Sequence, residues 1–339
     1  MDTADDGGKP LTPNELAGTK GAQPAVAIGI WSTLHASAGV LLVAHGSLSA
    51  AGAAQRDAYV LSTLLAGTLY ARLVLSDPGY VDEVGIRAEL AVVRARQALS
   101  ASAPAPDVAR SAAVASPAGC ETSALLAPDV ECASAPASAP VGALATDAEL
   151  ATLFSGECAA CGLPRPLRSR HCRHCRRCVW RYDHHCFLVA NCVGEGNHAL
   201  FWWFLLAQAV SIWCSIPLVH GAMRDDPIFA AWLAHTGPLF GCTLLLWPMG
   251  VLVTLLLVVH TLMALVDTTS YESAKHDQLE YLRDVPECTF PFADALPCIA
   301  LARFCAGPRA GHGGTLVPRP APFRTWKGTF WRNRYYSCC

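Results

Sequence analysis

Charge is what this chain is short of. Asp, Glu, Lys and Arg make up 15% of its 339 residues, against 53% for the hydrophobic set, and mean hydropathy is +0.31. A soluble domain usually carries about a quarter charged residues, so the shortfall argues against an ordinary soluble enzyme. The net charge of −2 removes a global positive field as a reason to expect nucleic acid, and none is expected as a partner. The first residues lack the basic-then-apolar pattern of a cleaved signal and carry Asp2, Asp5 and Asp6 instead, so segment 1–24 is expected to be retained. No repeat of solenoid period is present. Cysteine, by contrast, is plentiful at sixteen. Secreted disulfide scaffolds are short and lack long apolar spans, so the redox compartment has to be read from where these cysteines lie.

Four segments approach the ~20 apolar residues that a bilayer-crossing helix needs. They are 25–45, 58–75, 199–220 and 238–266, giving two pairs of spans over 25–75 and 199–266. The second is the shortest and carries Arg72 near its end, where a long side chain can snorkel to the interface. The short connections around Arg56 and Arg224 hold one Arg each, whereas 76–198 holds eleven and the tail after Asp267 holds nine Lys plus Arg. The positive-inside rule then places both long segments, and with them the N-terminus, in the cytosol. The fold class expected is an α-helical integral membrane protein with four transmembrane helices and a cytosolic cysteine-rich domain between the second and third.

Segment 76–149 is read as linker. Its 81–99 part alternates charged and apolar residues at helical spacing, which predicts a short surface helix. From about Ala98 onward Ala, Ser and Pro dominate, with little to bury, and disorder is expected there, with Cys120 and Cys132 as free thiols. Segment 267–339 is read as a cytosolic tail.

The chemistry lies in 150–198. Cys158-x2-Cys161 is followed after nine residues by His171-Cys172-x2-Cys175-x2-Cys178, and after four more by Asp183-His184-His185-Cys186; Cys192, Asn197 and Phe201 complete the series. Each C-x2-C pair is a thiolate clip suited to tetrahedral Zn²⁺. Two zinc ions need eight ligands, which six cysteines and two histidines supply, and their role is structural, since a segment rich in Arg, Pro and Cys has little else to form a core. A redox C-x2-C pair fits interleaved clips poorly, and a DNA-reading finger fits a site between membrane spans poorly. That count leaves Cys186 without a structural task. It follows two histidines and an aspartate and lies just before the third span. A Cys with a His base and an orienting carboxylate is the arrangement for nucleophilic catalysis, through a thiolate favoured by the nearby Arg176, Arg177 and Arg181. A thiol nucleophile at the membrane surface suits a substrate with one end in lipid, such as a fatty acyl thioester.

At these residues the chain resembles the DHHC-type protein S-acyltransferases, or palmitoyltransferases. The family pattern C-x2-C-x9-HC-x2-C-x2-C-x4-DHHC-x5-C-x4-N-x3-F is matched at every fixed position from Cys158 to Phe201. Asp77-Pro78-Gly79 after the second span resembles the family's DPG turn, and Thr269-Ser270-Tyr271-Glu272 resembles its TTxE, with Ser in place of the second Thr.

The resemblance implies a division of ligands that spacing left open: Cys158, Cys161, His171 and Cys178 for one Zn²⁺, and Cys172, Cys175, His185 and Cys192 for the other. It also implies His184 as the base and Asp183 as its orienting partner, with His174 outside the pattern. Cys186 would take a fatty acyl group, palmitoyl above all, from acyl-CoA and pass it to cysteines of substrate proteins at the bilayer. The runner-up is a catalytically weak or inactive zinc-stabilised membrane scaffold. The endomembranes, Golgi or ER, are expected ahead of the plasma membrane. Arg165, Arg168, Arg170 and Arg173 are candidates for the CoA phosphates, or equally for anionic lipid headgroups. Asn197 is expected to cap the third span or tie it to the zinc domain, and Asp77 to cap or close the turn after the second. His35, Gln208 and His260 are expected to hydrogen-bond between spans, and Trp202, Trp203 and Phe204 to form an interfacial belt. Cys338 and Cys339 are read as either S-acylated or free.

Overall fold

The computed structural model describes residues 23–102, 152–283, 285, 292 and 297–307. The expectations for 1–22, for Cys120 and Cys132, and for Cys338 and Cys339 lie outside these residues. Among the described residues, four helices are long and apolar enough to cross a membrane: α1 (Gln23–Ala44), α2 (Ala53–Leu75), α4 (His198–Ala222) and α5 (Phe229–Leu265). Between the second and third run a surface helix, α3 (Glu83–Ser102), and six short strands: β1 (Phe154–Cys158), β2 (Leu163–Pro166), β3 (Arg170–Cys172), β4 (Arg177–Val179), β5 (His184–Cys186) and β6 (Asn191–Val193). Among the described residues after the last span are two short α-helices, α6 (Ser270–Ala274) and α7 (Pro297–Cys305).

Three bounds differ from the sequence reading, and the first is that α2 begins at Ala53, five residues before the expected 58. α5 begins at Phe229, before Pro238, and carries both Pro238 and Pro248 inside it. A proline removes one backbone hydrogen bond from a helix interior but need not end a long apolar helix whose neighbours keep it packed. α3 continues to Ser102, because the first residues of the Ala-rich stretch contain no proline and alanine favours helix.

The spans differ in what they bury. α4 is the most enclosed, and its Phe201, Phe204, Leu205, Ala209, Ile212 and Ile216 pack with Tyr70, Leu73 and Val74 of α2, Val253 of α5, and Val189 and Val193 of the strand region. α1, α2 and α5 leave Val40, Leu61, Leu65, Leu244, Leu245 and Leu255 exposed. So much outward apolar surface on long helices is what lipid contact requires and what a soluble bundle avoids. Polar side chains bond across the bundle: Trp31 Nε1 donates to Gln208 Oε1 at 3.2 Å, and Gln208 Nε2 lies 3.1 Å from His35 Nε2. The interhelical bonding expected of His35 and Gln208 is thus present. Trp202 Nε1 donates to Thr261 Oγ1 across α4 and α5 at 2.9 Å, so this indole fastens two spans as well as lying at their ends.

The strands form three two-stranded antiparallel hairpins, β1–β2, β3–β4 and β5–β6. Hairpins this small are marginal alone, and the spans anchor them. Asp77 Oδ1 accepts from the amides of Gly79 and Tyr80 and closes the turn after α2. That turn is stitched to the hairpins through Gly196 N to Pro78 O, Trp180 N to Gly79 O and Val81 N to Cys178 O, all 2.8–3.0 Å. Asn191 Nδ2 donates to the Ser76 and Leu73 carbonyls, satisfying the C-terminal end of α2. Asn197 begins α4 without capping it by its side chain. Its Nδ2 donates to Ser76 Oγ and Cys192 O and its Oδ1 accepts from Gly194 N, so it ties the span to the hairpins instead.

Candidate functional site

The hairpin register builds the ligand clusters. In β3–β4 His171 stands opposite Cys178, and in β5–β6 His185 stands opposite Cys192, so each pair puts one imidazole and one thiol together. The tight turns after Cys158 and Cys172 add the remaining sulfurs; Gly162 N bonds back to Cys158 O, and Cys175 N donates to Cys172 Sγ. Cys158, Cys161, His171 and Cys178 converge in one cluster, and Cys172, Cys175, His185 and Cys192 in another.

Both clusters can hold a metal ion. In the first, the three sulfurs lie 3.6, 3.3 and 3.9 Å from His171 Nδ1; in the second, the three lie 3.5–3.6 Å from His185 Nδ1. Bonds of about 2.3 Å to sulfur and about 2.05 Å to nitrogen, at tetrahedral angles, put the two donors about 3.5 Å apart. The donor type and the spacing therefore fit a tetrahedral ion bound by three thiolates and one imidazole. His174 stands outside both clusters, with its exposed ring stacked on His185 at 4.6 Å.

Between the second cluster and the spans sit Asp183, His184 and Cys186. Asp183 is 1% exposed. Its Oδ2 lies 2.6 Å from His184 Nδ1, and its Oδ1 accepts from Ser270 N at 2.6 Å. Burial opposes ionisation of this carboxyl, but the imidazoles of His198 and His184 outweigh it and hold it well below the usual carboxylate range. Burial also lowers the pKa of His184, yet the Asp183 hydrogen bond and the neighbouring Cys186 raise it overall to about 9. Cys186 has the complementary shift. Burial pushes its thiol up, while His184 and the amides of Val189 and Leu188 more than reverse this, so its pKa is lowered. Both shifts move the pair toward imidazolium beside thiolate. Cys186 is half-buried against the apolar cluster of Tyr70, Leu73, Phe201 and Phe204. Tyr70 Oη donates to Leu188 O at 2.6 Å and pins the loop after it. An open groove of about 600 Å³ beside α1 and α2, lined by Trp31, Gly67, Thr68, Ala71 and Arg72, shares Trp31 with that cluster.

Of the four arginines proposed for phosphates, Arg168 is corrected. It is buried, with Nε 2.7 Å from Glu272 Oε1 and Nη2 2.8 Å from Glu272 Oε2, and it also donates to Asp267 O. A guanidinium committed to a buried carboxylate has no fork left for a phosphate. Arg165 bonds Ser155 across β1–β2, Arg170 lies over the Tyr271 ring at 4.6 Å, and Arg173 is exposed.

The structure also explains the Ser in the TTxE-like motif. Thr269 and Glu272 form a reciprocal capping box, each side chain bonding the other's backbone N–H. Position 270 contributes its main-chain N–H to Asp183, so the exchange of one hydroxyl residue for another leaves this bond intact. Sequence reading missed the partner of Glu272. The available signal was a carboxylate fixed near a membrane span, which calls for a cation.

Residues 154–277 match the DHHC palmitoyltransferase family. Human Palmitoyltransferase ZDHHC12 is 40% identical over 159 residues, covering 47% of this chain and 58% of that protein, and its mouse counterpart gives the same identity and coverage. Protein S-acyltransferase 10 of Arabidopsis thaliana is 29% identical over 137 residues, 40% of this chain and 39% of that protein. The chain spans about half the length of the curated relatives it matches.

Proposed function

We propose, from the premise that this chain carries a DHHC palmitoyltransferase domain, that it is a protein S-acyltransferase with Cys186 as nucleophile. The observation that carries the reading is the chain of contacts from the Ser270 amide through buried Asp183 to His184 and on to Cys186, set against an apolar cluster inside the spans. The Cys186 thiolate attacks the carbonyl of a fatty acyl-CoA; the C–S bond to CoA breaks, CoA leaves as the thiol with a proton from His184, and an acyl-enzyme remains. A cysteine of a substrate protein then gives its proton to His184, attacks the acyl-enzyme, and regenerates Cys186. Asp183 holds the imidazole in one orientation throughout.

The acyl chain lies among the spans, where apolar burial contributes about 0.8 kcal/mol per CH₂. Its entry along the Trp31-lined groove is part of the proposal. Arg165, Arg170 and Arg173 remain the phosphate candidates. The two Cys/His clusters hold structural Zn²⁺; when bound, each ion fixes the hairpins that carry His184 and Cys186 and takes no part in the acyl transfer. The cysteine-rich domain faces the cytosol, consistent with the basic bias of 76–198, in an endomembrane of the Golgi or ER.

The test is incubation of the purified chain with a labelled palmitoyl-CoA analogue and measurement of hydroxylamine-sensitive label, beside Cys186→Ser and Cys161→Ala. Label lost in both, with zinc lost in Cys161→Ala alone, supports the reading. Wild-type protein that holds two zinc ions and acquires no label sinks it in favour of a scaffold. Label surviving Cys186→Ser moves the nucleophile to another thiol.

A further inference from the structure

Besides the two Cys/His clusters, the described residues hold a third convergence of metal-type ligands: Asp183, His198 and His260. They come from the turn before β5, the first residue of α4, and α5. All three are buried, at 1%, 3% and 3% exposure. One donor atom from each lies within 4.8 Å of the others, and His198 Nε2 is 3.1 Å from His260 Nδ1. The other nitrogen of His198, Nδ1, is buried without a hydrogen-bond partner.

A neutral hydrogen bond between α4 and α5 accounts for the 3.1 Å contact. It does not account for both rings converging on the one carboxylate that serves His184. Two imidazoles and a carboxylate make up a donor set for divalent ions of the zinc and ferrous type, with open positions for water.

We propose that Asp183, His198 and His260 form a third, reversible site for a divalent transition ion of the zinc type, and that its occupancy silences Cys186. The silencing, though not the site, rests on the acyltransferase reading above. Asp183 Oδ2 is the acceptor that orients His184. A carboxylate that gives a lone pair to a dication is a poorer and displaced acceptor, so the His184 ring loses the partner that aims it at Cys186. Binding makes no covalent change: the imidazoles donate lone pairs, and the proton shared between His198 and His260 moves to a ring nitrogen facing away from the ion or is released to water. With no thiolate and a shared carboxylate, the site is weaker than the two Cys₃His clusters and empties first under a mild chelator.

The test uses the full chain in detergent with its two tightly held zinc ions in place. Zn²⁺ is titrated and bound metal is counted by mass spectrometry, beside His260→Leu and His260→Gln. The expected result is a third equivalent in wild type and two in both variants, whose retained pair shows that they are folded. Co²⁺ added to the zinc-loaded protein should give visible d–d bands without the near-ultraviolet band of thiolate ligation. Acyl-enzyme formation should fall about tenfold with the third equivalent in wild type, and far less in the variants. Saturation of wild type at two, a third ion retained by both variants, or a thiolate band overturns the site. A third ion bound here with undiminished label overturns the silencing. Absence of label in metal-restricted wild type counts against the acyltransferase reading, and the metal count still decides the site.

Discussion

Arg168 and Glu272, 104 positions apart, form a buried two-pronged ion pair that fastens the segment after the last span to the cysteine-rich hairpins. Both carboxylate oxygens are further satisfied, Oε1 by the Tyr281 hydroxyl and Oε2 by the Thr269 amide. The guanidinium lies 4.1 Å from the Phe292 ring centroid. Because Glu272 also caps α6, the same carboxylate sets the position of the Ser270 amide that holds Asp183.

Removing one partner of this pair leaves the other charge buried, which costs about 3–5 kcal/mol. Arg168→Met and Glu272→Gln should each lower the unfolding midpoint of the detergent-solubilised chain. The double variant should lose less than the sum of the two. Additive losses would mean that the pair is not coupled as the geometry requires.

Asp183→Asn keeps the shape of the side chain but removes the charge that orients His184. Acyl-enzyme formation should fall by about 10²-fold or more, with the two zinc ions retained. Loss of metal in this variant would assign Asp183 to the stability of the hairpin instead.

The shifts of His184 and Cys186 give a pH dependence with a definite sign. The Cys186 thiol is lowered, so its thiolate forms at a lower pH than that of an ordinary thiol and is lost as pH falls through that depressed pKa. His184 is raised to about 9, so its imidazolium persists until pH rises through that value. Alkylation of Cys186 by iodoacetamide, followed by peptide mass spectrometry, should rise at a lower pH than alkylation of an ordinary thiol, whose pKa is about 8.5. In Asp183→Asn the profile should move to higher pH. A wild-type profile rising only near about pH 8.5 would contradict the thiolate pair.

Stripping zinc with a strong chelator should unfold the hairpins and leave the spans helical. Protease cleavage within 154–193 should rise sharply while far-ultraviolet helical signal is largely kept, because backbone bonding within a span does not depend on the metal. Unchanged proteolysis after complete metal loss would remove the structural role assigned to the ions.

Gly196 is closely approached by the turn after α2. A Cβ there would come within 2.5 Å of Asp77 O and 2.7 Å of Gly79 N, both rigid backbone atoms. Gly196→Ala should therefore destabilise the chain by about 1–3 kcal/mol, seen as a lowered unfolding midpoint. A neutral result would show that this junction can open.

Spacing and hydropathy were enough for the four long apolar helices and for the inventory of thiols and imidazoles, because both are local properties. A span needs only its own backbone hydrogen bonds and an apolar exterior, and a C-x2-C clip needs only a tight turn. Family resemblance, rather than spacing, divided the eight ligands into two sets, since many pairings of six cysteines and two histidines are compatible with the intervals alone. Tertiary structure decided the remainder. Arg168 looked like one more cation for phosphates, and only its burial against a residue 104 positions away showed otherwise. Likewise, His198 and His260 lie 62 positions apart, and nothing in either local sequence announces that helix packing brings both to the carboxylate serving His184. Such contacts are set by how α4, α5 and the hairpins pack, and that packing is a property of the whole fold, not of any segment.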